Sequence, residues 1–172
     1  TKAIIIKKSH ELQKDITEGL RKRMFDIGER ALCLNKDASS TEKIPDSCVS
    51  LIVTSPPFLD VIDYAGDNWL RCWFNDIDID SVQEKITVTN KLDKWEQFMR
   101  SVFNELFRVV KPKGFIAFEV GEVRKGKIRL EESIVPIGIQ AGFEVLAVII
   151  NKQQFTKTSN ILILLIEIPA KL

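Results

Sequence analysis

The chain has 172 residues, 45% of them hydrophobic and 28% charged, which suits one domain with a real core and excludes a disordered tail. Its 25 Lys and Arg against 24 Asp and Glu leave a formal net charge of +1, which excludes nucleic-acid binding through bulk positive charge. Any nucleic-acid contact must come from a local basic patch.

Leu12, Ile16, Leu20 and Phe25 recur at helical spacing among charged residues. They predict a helix over residues 8–25 that Gly28 is placed to end. Residues 31–34 predict a short strand leading into Asn35-Lys36-Asp37. The β-branched run at 49–53, between Pro45-Asp46-Ser47 and Pro56-Pro57, predicts a fully buried strand. Asp67 can cap a helix with Trp69, Leu70, Trp73 and Phe74 on its apolar side. Asp93 can cap another that runs through Trp95, Phe98, Val102, Leu106 and Val109, with Lys111-Pro112-Lys113-Gly114 as its stop. The tryptophans at this spacing are expected in the core.

Residues 115–120 predict the next strand, 121–127 a polar segment and 131–140 a helix closed by Gly142. Strands over 143–150 and 161–168 are joined by a polar loop too short for a helical crossover, so they should pair antiparallel. Strand–helix alternation of this kind predicts a doubly wound α/β domain, a mostly parallel sheet with helices on both faces and an antiparallel last strand. Residues 1–30 then form a helical N-terminal arm and 31–172 the main domain.

Cys33, Cys48 and Cys72 form no CxxC pair, and His10 is the one histidine. Reduced thiols in a cytoplasmic protein are expected, with no zinc site, no metal and no histidine triad. The longest apolar run, residues 161–166, is far short of the roughly 20 needed to span a bilayer. Residues 3–6 are too short for a signal-peptide core, so a soluble protein without membrane contact is expected.

In open α/β sheets, ligands sit beyond the carboxyl ends of the strands. Thr54-Ser55-Pro56-Pro57-Phe58 occupies that place after the strand at 49–53. Two prolines fix φ twice and remove two N–H donors. The carbonyls of Ser55 and Pro56 can then face a ligand without local competition, the Ser55 hydroxyl adds an acceptor, and Phe58 offers a ring. Such a site suits a planar group bearing an exocyclic NH2. A diproline turn that merely ends a strand is the plain alternative.

The stretch Asp46-Ser47-Cys48-Val49-Ser50-Leu51-Ile52-Val53-Thr54-Ser55-Pro56-Pro57-Phe58 resembles the catalytic motif of amino-methylating DNA methyltransferases. Residues 59–64, 67–71 and 118–127 are similar to a subgroup of site-specific enzymes of that family. The resemblance implies a Rossmann-like, S-adenosylmethionine-dependent methyltransferase fold and methyl transfer from S-adenosylmethionine to a base amino group in DNA. Cytosine N4 is favoured by the S-P-P form, and adenine N6 remains open. Ser55 and Pro56 would accept the amino hydrogens, Pro57 would hold the corner, and Phe58 would stack on a base rotated out of the duplex. Asp37, Thr54 and Glu119 would line the cofactor, with Glu122 also near; an ordinary turn aspartate is the alternative for Asp37, and a salt bridge to Arg124 or a solvated loop for Glu119 and Glu122. Arg124, Lys125 and Lys127 would hold DNA phosphates. A solvated basic loop is the alternative for these last three. Residues 155–160 resemble a late substrate-side loop. A restriction–modification role is what the family implies.

The family's glycine-rich cofactor loop is not found, since none of the eight glycines stands in a GxG pattern. Three explanations are open. The chain, beginning at Thr1, is part of a longer methyltransferase; it is one half of a split enzyme completed by a second chain carrying the glycine loop; or it is a degenerate, non-catalytic homologue that binds nucleic acid or a partner. An RNA or protein amino-methyltransferase is the neighbouring enzymatic alternative.

Overall fold

The computed structural model describes residues 2–57, 59, 64–85, 89, 91–123, 127–152 and 160–169. The backbone contacts form two units, Thr1–Lys36 and Asp37–Leu172.

In the first unit, helices α1 (Lys2–Gln13) and α2 (Glu18–Gly28) replace the single helix predicted over 8–25. Thr17 is extended (φ −70°, ψ 160°), and its hydroxyl accepts the Leu20 N–H at 3.3 Å. That side-chain cap starts a new helix and so divides the run. Neither helix has a buried residue. The strand expected over 31–34 is not formed: these residues are exposed or half-exposed, and no described strand pairs with them. A strand needs a neighbour for its ladder, and four weakly alternating residues do not create one.

The second unit begins its sheet with β1 (Val49–Thr54). Helices α3 (Tyr64–Phe74), α4 (Ile79–Lys85) and α5 (Leu92–Val109) lead to β2 (Val110–Val123). Then follow β3 (Ile128–Arg129), α6 (Leu130–Ala141), β4 (Glu144–Lys152) and β5 (Asn160–Glu167). The sheet order is β1-β2-β5-β4, with β3 off the path beside β2. Strand β1 is parallel to β2, while β5 is antiparallel to both β2 and β4. Thus β1, β2 and β4 share a direction and the last strand opposes them, as the sequence predicted.

The core lies on one face. Trp95, Met99, Val102, Phe103, Leu106 and Val109 form the buried stripe of α5, spaced as a helix of 3.6 residues per turn requires. They meet Ile116, Phe118 and Val120 of β2 and Leu164 and Ile166 of β5 in one cluster with Leu130, Ile134 and Ile137 of α6. The Phe103 ring stands 5.0 Å from that of Phe118 and 6.1 Å from that of Phe143. Asp93 sits in the first turn of α5 and Asp67 in that of α3, one to three residues inside the starts predicted from them as caps. A carboxylate there still favours the helix N-terminus.

Two expectations about coverage are corrected. Helices α5 and α6 cover the same face, and the opposite face, with Leu51, Val53, Phe115 and Ile149, remains exposed. Strand β1 is therefore one-sided, with Val53 75% exposed, instead of buried on both faces. Trp69 and Trp73 are also outside the core, at 59% and 72% exposed, because α3 buries Cys72 on its other side. Cys33 and Cys48 are free and exposed, and Cys72 is free and buried. Among the described residues no helix is long and apolar enough to cross a membrane.

Gly142 ends α6 in the left-handed region (φ 105°), as its place in the sequence predicted. A Cβ there would lie 2.7 Å from Cε2 of Phe107, whose ring packs edge-on to Phe143. Gly142→Ala should therefore destabilise the unit by about 2 kcal/mol, combining left-handed strain with displacement of that ring. Urea unfolding measures it.

Candidate active site

The parallel pair of β1 and β2 sets the site. Its last register match is Thr54 with Phe118, so the chain leaves the sheet at Ser55. The corner 55–57 has no secondary structure, and its two prolines are half-buried. Among the described residues, the carbonyls of Ser55 and Pro56 and the Ser55 hydroxyl have no hydrogen-bond partner. The next carbonyl, that of Pro57, accepts the indole N–H of Trp95 at 3.0 Å. Trp95 is 2% exposed. The corner thus offers two open acceptors in succession and a third that is already engaged.

Cavities flank the corner on both sides of the sheet. One of about 140 Å³ lies towards α5, between Ser55, Pro56 and Pro57 and the apolar Phe98, Met99 and Phe118. Ala38 also borders it, which brings the segment after Asp37 to the corner. The Asp37 carboxylate accepts from the Ser39 N–H at 2.8 Å and the Ser39 hydroxyl at 2.7 Å, a local turn that fixes this segment. The second, a cradle of about 250 Å³, opens on the uncovered face and is lined by Val53, Thr54, Ser55, Ala117, Glu119 and Ile163. Thr54 and Ser55 border both spaces. The structure therefore gathers Ser55, Pro56, Pro57, Thr54 and Glu119 at one sheet edge, with Asp37 one residue removed.

Phe58, Arg124 and Lys125 lie outside the described residues, as do Asp60, Asp63 and residues 155–159. Lys127 is exposed in the turn before β3, which pairs with Glu122 and Val123 at the corner end of β2. Arg129 is engaged, with Glu131 at 2.7 Å and Glu132 at 3.0 Å. Lys111 and Lys113 belong to the opposite end of β2, where Val110 pairs with Val49. Among the described residues no three His, Cys, Asp or Glu come together to hold a metal ion.

A polar clamp holds the segment 41–46 against α5. The Arg108 guanidinium donates to both Glu105 oxygens, Nη2 at 2.6 Å and Nε at 2.9 Å. It also reaches Asp46 at 2.5 Å and the carbonyls of Ile44 and Thr41 at 2.9 and 3.1 Å. The Thr41 N–H and hydroxyl donate to Glu105 Oε1 at 2.7 and 2.5 Å. These bonds to Arg108, reinforced by Thr41, outweigh burial and pull the Glu105 carboxyl down to about 2. Sequence reasoning missed both this clamp and the Trp95–Pro57 bond. The i, i+3 spacing of Glu105 and Arg108 was a visible signal for part of the clamp, whereas nothing local pointed to Trp95.

An open α/β sheet that turns a corner at the carboxyl end of its first strand is a Rossmann-like scaffold. A protein from Thermus thermophilus described as a DNA modification methylase shares this fold at a TM-score of 0.50 and 24% identity, over 78% of this chain and 51% of that one. The same Thermus protein crystallised with S-adenosyl-L-methionine gives a TM-score of 0.49 at 24% identity, over 79% and 54% of the two chains. The N-methyltransferase NodS of Bradyrhizobium japonicum WM9 gives 0.48 at 14% identity, over 90% and 71%. This chain spans about half the length of the Thermus protein. No curated protein sequence matches it. The family model of DNA methylases, of the N6/N4 type, matches residues 49–163, about two thirds of the chain. The chain belongs to that DNA methylase family.

Proposed function

We propose that this chain carries the catalytic corner of an S-adenosylmethionine-dependent enzyme that methylates the exocyclic amino group of a base in DNA. Cytosine N4 is the favoured target and adenine N6 the alternative. One observation carries the reading: the two open carbonyls of Ser55 and Pro56 beside a third that Trp95 occupies. Those oxygens are acceptors, and acceptors are what hold the two hydrogens of an amino group. Held that way, the nitrogen keeps its lone pair free for an electrophile. The new N–C bond would form as the donor's S–CH3 bond breaks, its electron pair staying on sulfur as the neutral thioether leaves, and one N–H proton would pass to solvent.

When bound, S-adenosylmethionine supplies a methyl group on a positively charged sulfur. The residues present fit one side of it. Glu119 brings a carboxylate to the cradle on the uncovered face, and Thr54 a hydroxyl. Asp37 would serve the same donor from its turn. Phe58 would stack on the rotated base, and Arg124, Lys125 and Lys127 would hold phosphates. No glycine lines that cradle among the described residues. The other wall, with the glycine-rich turn, is therefore supplied by a further segment of polypeptide, in the same chain or a second one, laid over the uncovered face. Residues 31–172 form the methyltransferase part in this reading. DNA and unpaired thiols suit a reducing cytoplasm.

Transfer of labelled methyl from S-adenosylmethionine by the full-length protein tests this, with unmodified DNA and RNA compared. Label should enter DNA, and Ser55→Ala should lower the rate about tenfold, the worth of one acceptor in the transition state. Label in RNA alone would move the substrate class. Equal rates for Ser55→Ala, Phe58→Ala and wild type would remove the Ser55 hydroxyl and the Phe58 ring from the chemistry.

A further inference from the structure

We propose that Trp95 is a positioning residue of the methyl-transfer site, an inference that rests on the reading above. Prolines fix φ at positions 56 and 57. Ser55 and Pro56 each precede a proline, so clashes with the following ring confine ψ at 55 and 56 to extended values. Within the diproline itself the soft torsion left is ψ of Pro57, since Phe58 imposes no such restriction. That torsion sets the direction of the Pro57 carbonyl, and this is the carbonyl Trp95 binds, at 3.0 Å.

Trp95 can hold it firmly. Its indole is buried at 2% exposure, and it heads the apolar stripe of α5 that continues through Met99, Val102 and Phe103 into the sheet. An indole has one donor and no acceptor, so its single bond has a single direction. The contact crosses 38 residues of sequence, joining the corner to the rigid core. Two effects follow. The direction of the Pro57 carbonyl is set, and this third carbonyl is turned away from competing with those of Ser55 and Pro56 for amino hydrogens. Misplacing reacting groups by a fraction of an ångström is costly in rate, so the bond should act on turnover more than on cofactor affinity.

The experiment replaces only the N–H. In the full-length protein, Trp95 is exchanged for 3-benzothienylalanine, which keeps the bicycle and puts sulfur where the N–H was; Trp95→Phe is a second variant. Incorporation of 5-fluorotryptophan at 95, which retains the N–H, is the rescue. The expected result is a kcat at least tenfold lower in the first two, with KM for S-adenosylmethionine within twofold, and a wild-type kcat in the third. A benzothienyl protein within twofold of wild-type kcat overturns the proposal, as does a parallel loss in all three. Should wild type transfer no methyl, the methylation reading fails by itself. Binding of deoxycytidine and deoxyadenosine, followed by NMR, then decides the positioning role. At least fivefold weaker binding without the N–H supports it; equal binding, or none by wild type, overturns it.

Discussion

Glu105→Ala is expected to lower the unfolding free energy by about 2 kcal/mol, the loss of a half-buried acceptor with charge-assisted hydrogen bonds. Its side chain is 12% exposed and receives four hydrogen bonds, two from Arg108 and two from Thr41. Deleting it leaves the Arg108 guanidinium only Asp46 and the carbonyls of Ile44 and Thr41, takes the acceptor from two Thr41 donors, and loosens the segment that leads from Ala38 to Asp46. Urea unfolding at pH 7 measures the loss, and a change below 1 kcal/mol would show that the clamp is ornamental. The same group gives the protein an acid dependence. The folded carboxyl is held at about 2 against an ordinary 4.5, chiefly by Arg108. A depressed folded value means the unfolded state binds the proton first as pH falls. The associated stability is fully present above about pH 5 and disappears progressively down to about pH 2. With screening allowed for, it amounts to about 2 kcal/mol. Glu105→Gln should flatten this part of the stability–pH curve, which unfolding at pH 7 and pH 3 can compare.

The sheet was legible where residue type alone forces it. Runs such as Phe115-Ile116-Ala117-Phe118 and Ile161–Ile166 are rich in β-branched and aromatic residues, and Gly142 marked its helix end because a left-handed cap favours glycine. Coverage was less legible. Helical spacing gives Trp69, Trp73 and Trp95 the same apolar signature, yet Trp95 is buried while the other two are exposed. The period shows that a stripe exists; which element covers it is a non-local fact. For the same reason residues 31–34 read as a strand and formed none, since pairing depends on a neighbour. At the candidate site, the end of the strand at Ser55, Pro56 and Pro57 was legible because prolines act on their own backbone. The Trp95 donation and the clamp from Arg108 to Thr41 and Asp46 join residues dozens of positions apart, and no local pattern carries them.

Val53→Glu should abolish methyl transfer, at least a hundredfold, while leaving the unit that contains it folded. Val53 is 75% exposed on the edge strand β1, and its neighbours on the same face, Leu51 and Phe115, are exposed as well. A substitution at such a surface ordinarily changes stability by no more than about 0.5 kcal/mol. A parallel strand pair, however, is normally covered on both faces, and among the described residues no strand pairs with the other edge of β1. The cradle beside Glu119 opens on this same face and has Val53 in its wall. If the segment bearing the glycine-rich turn lies over it, a glutamate at 53 must be buried without a partner. That costs about 3 kcal/mol or more, and by transition-state arithmetic at least a hundredfold in rate. Melting temperature and label transfer are to be measured together on the full-length protein. Activity within threefold of wild type would mean that nothing packs on this face during catalysis, and the donor's second wall would have to come from another direction. An equal loss of melting temperature and activity would instead show that Val53 is already part of a folded core, against its exposure in this structure.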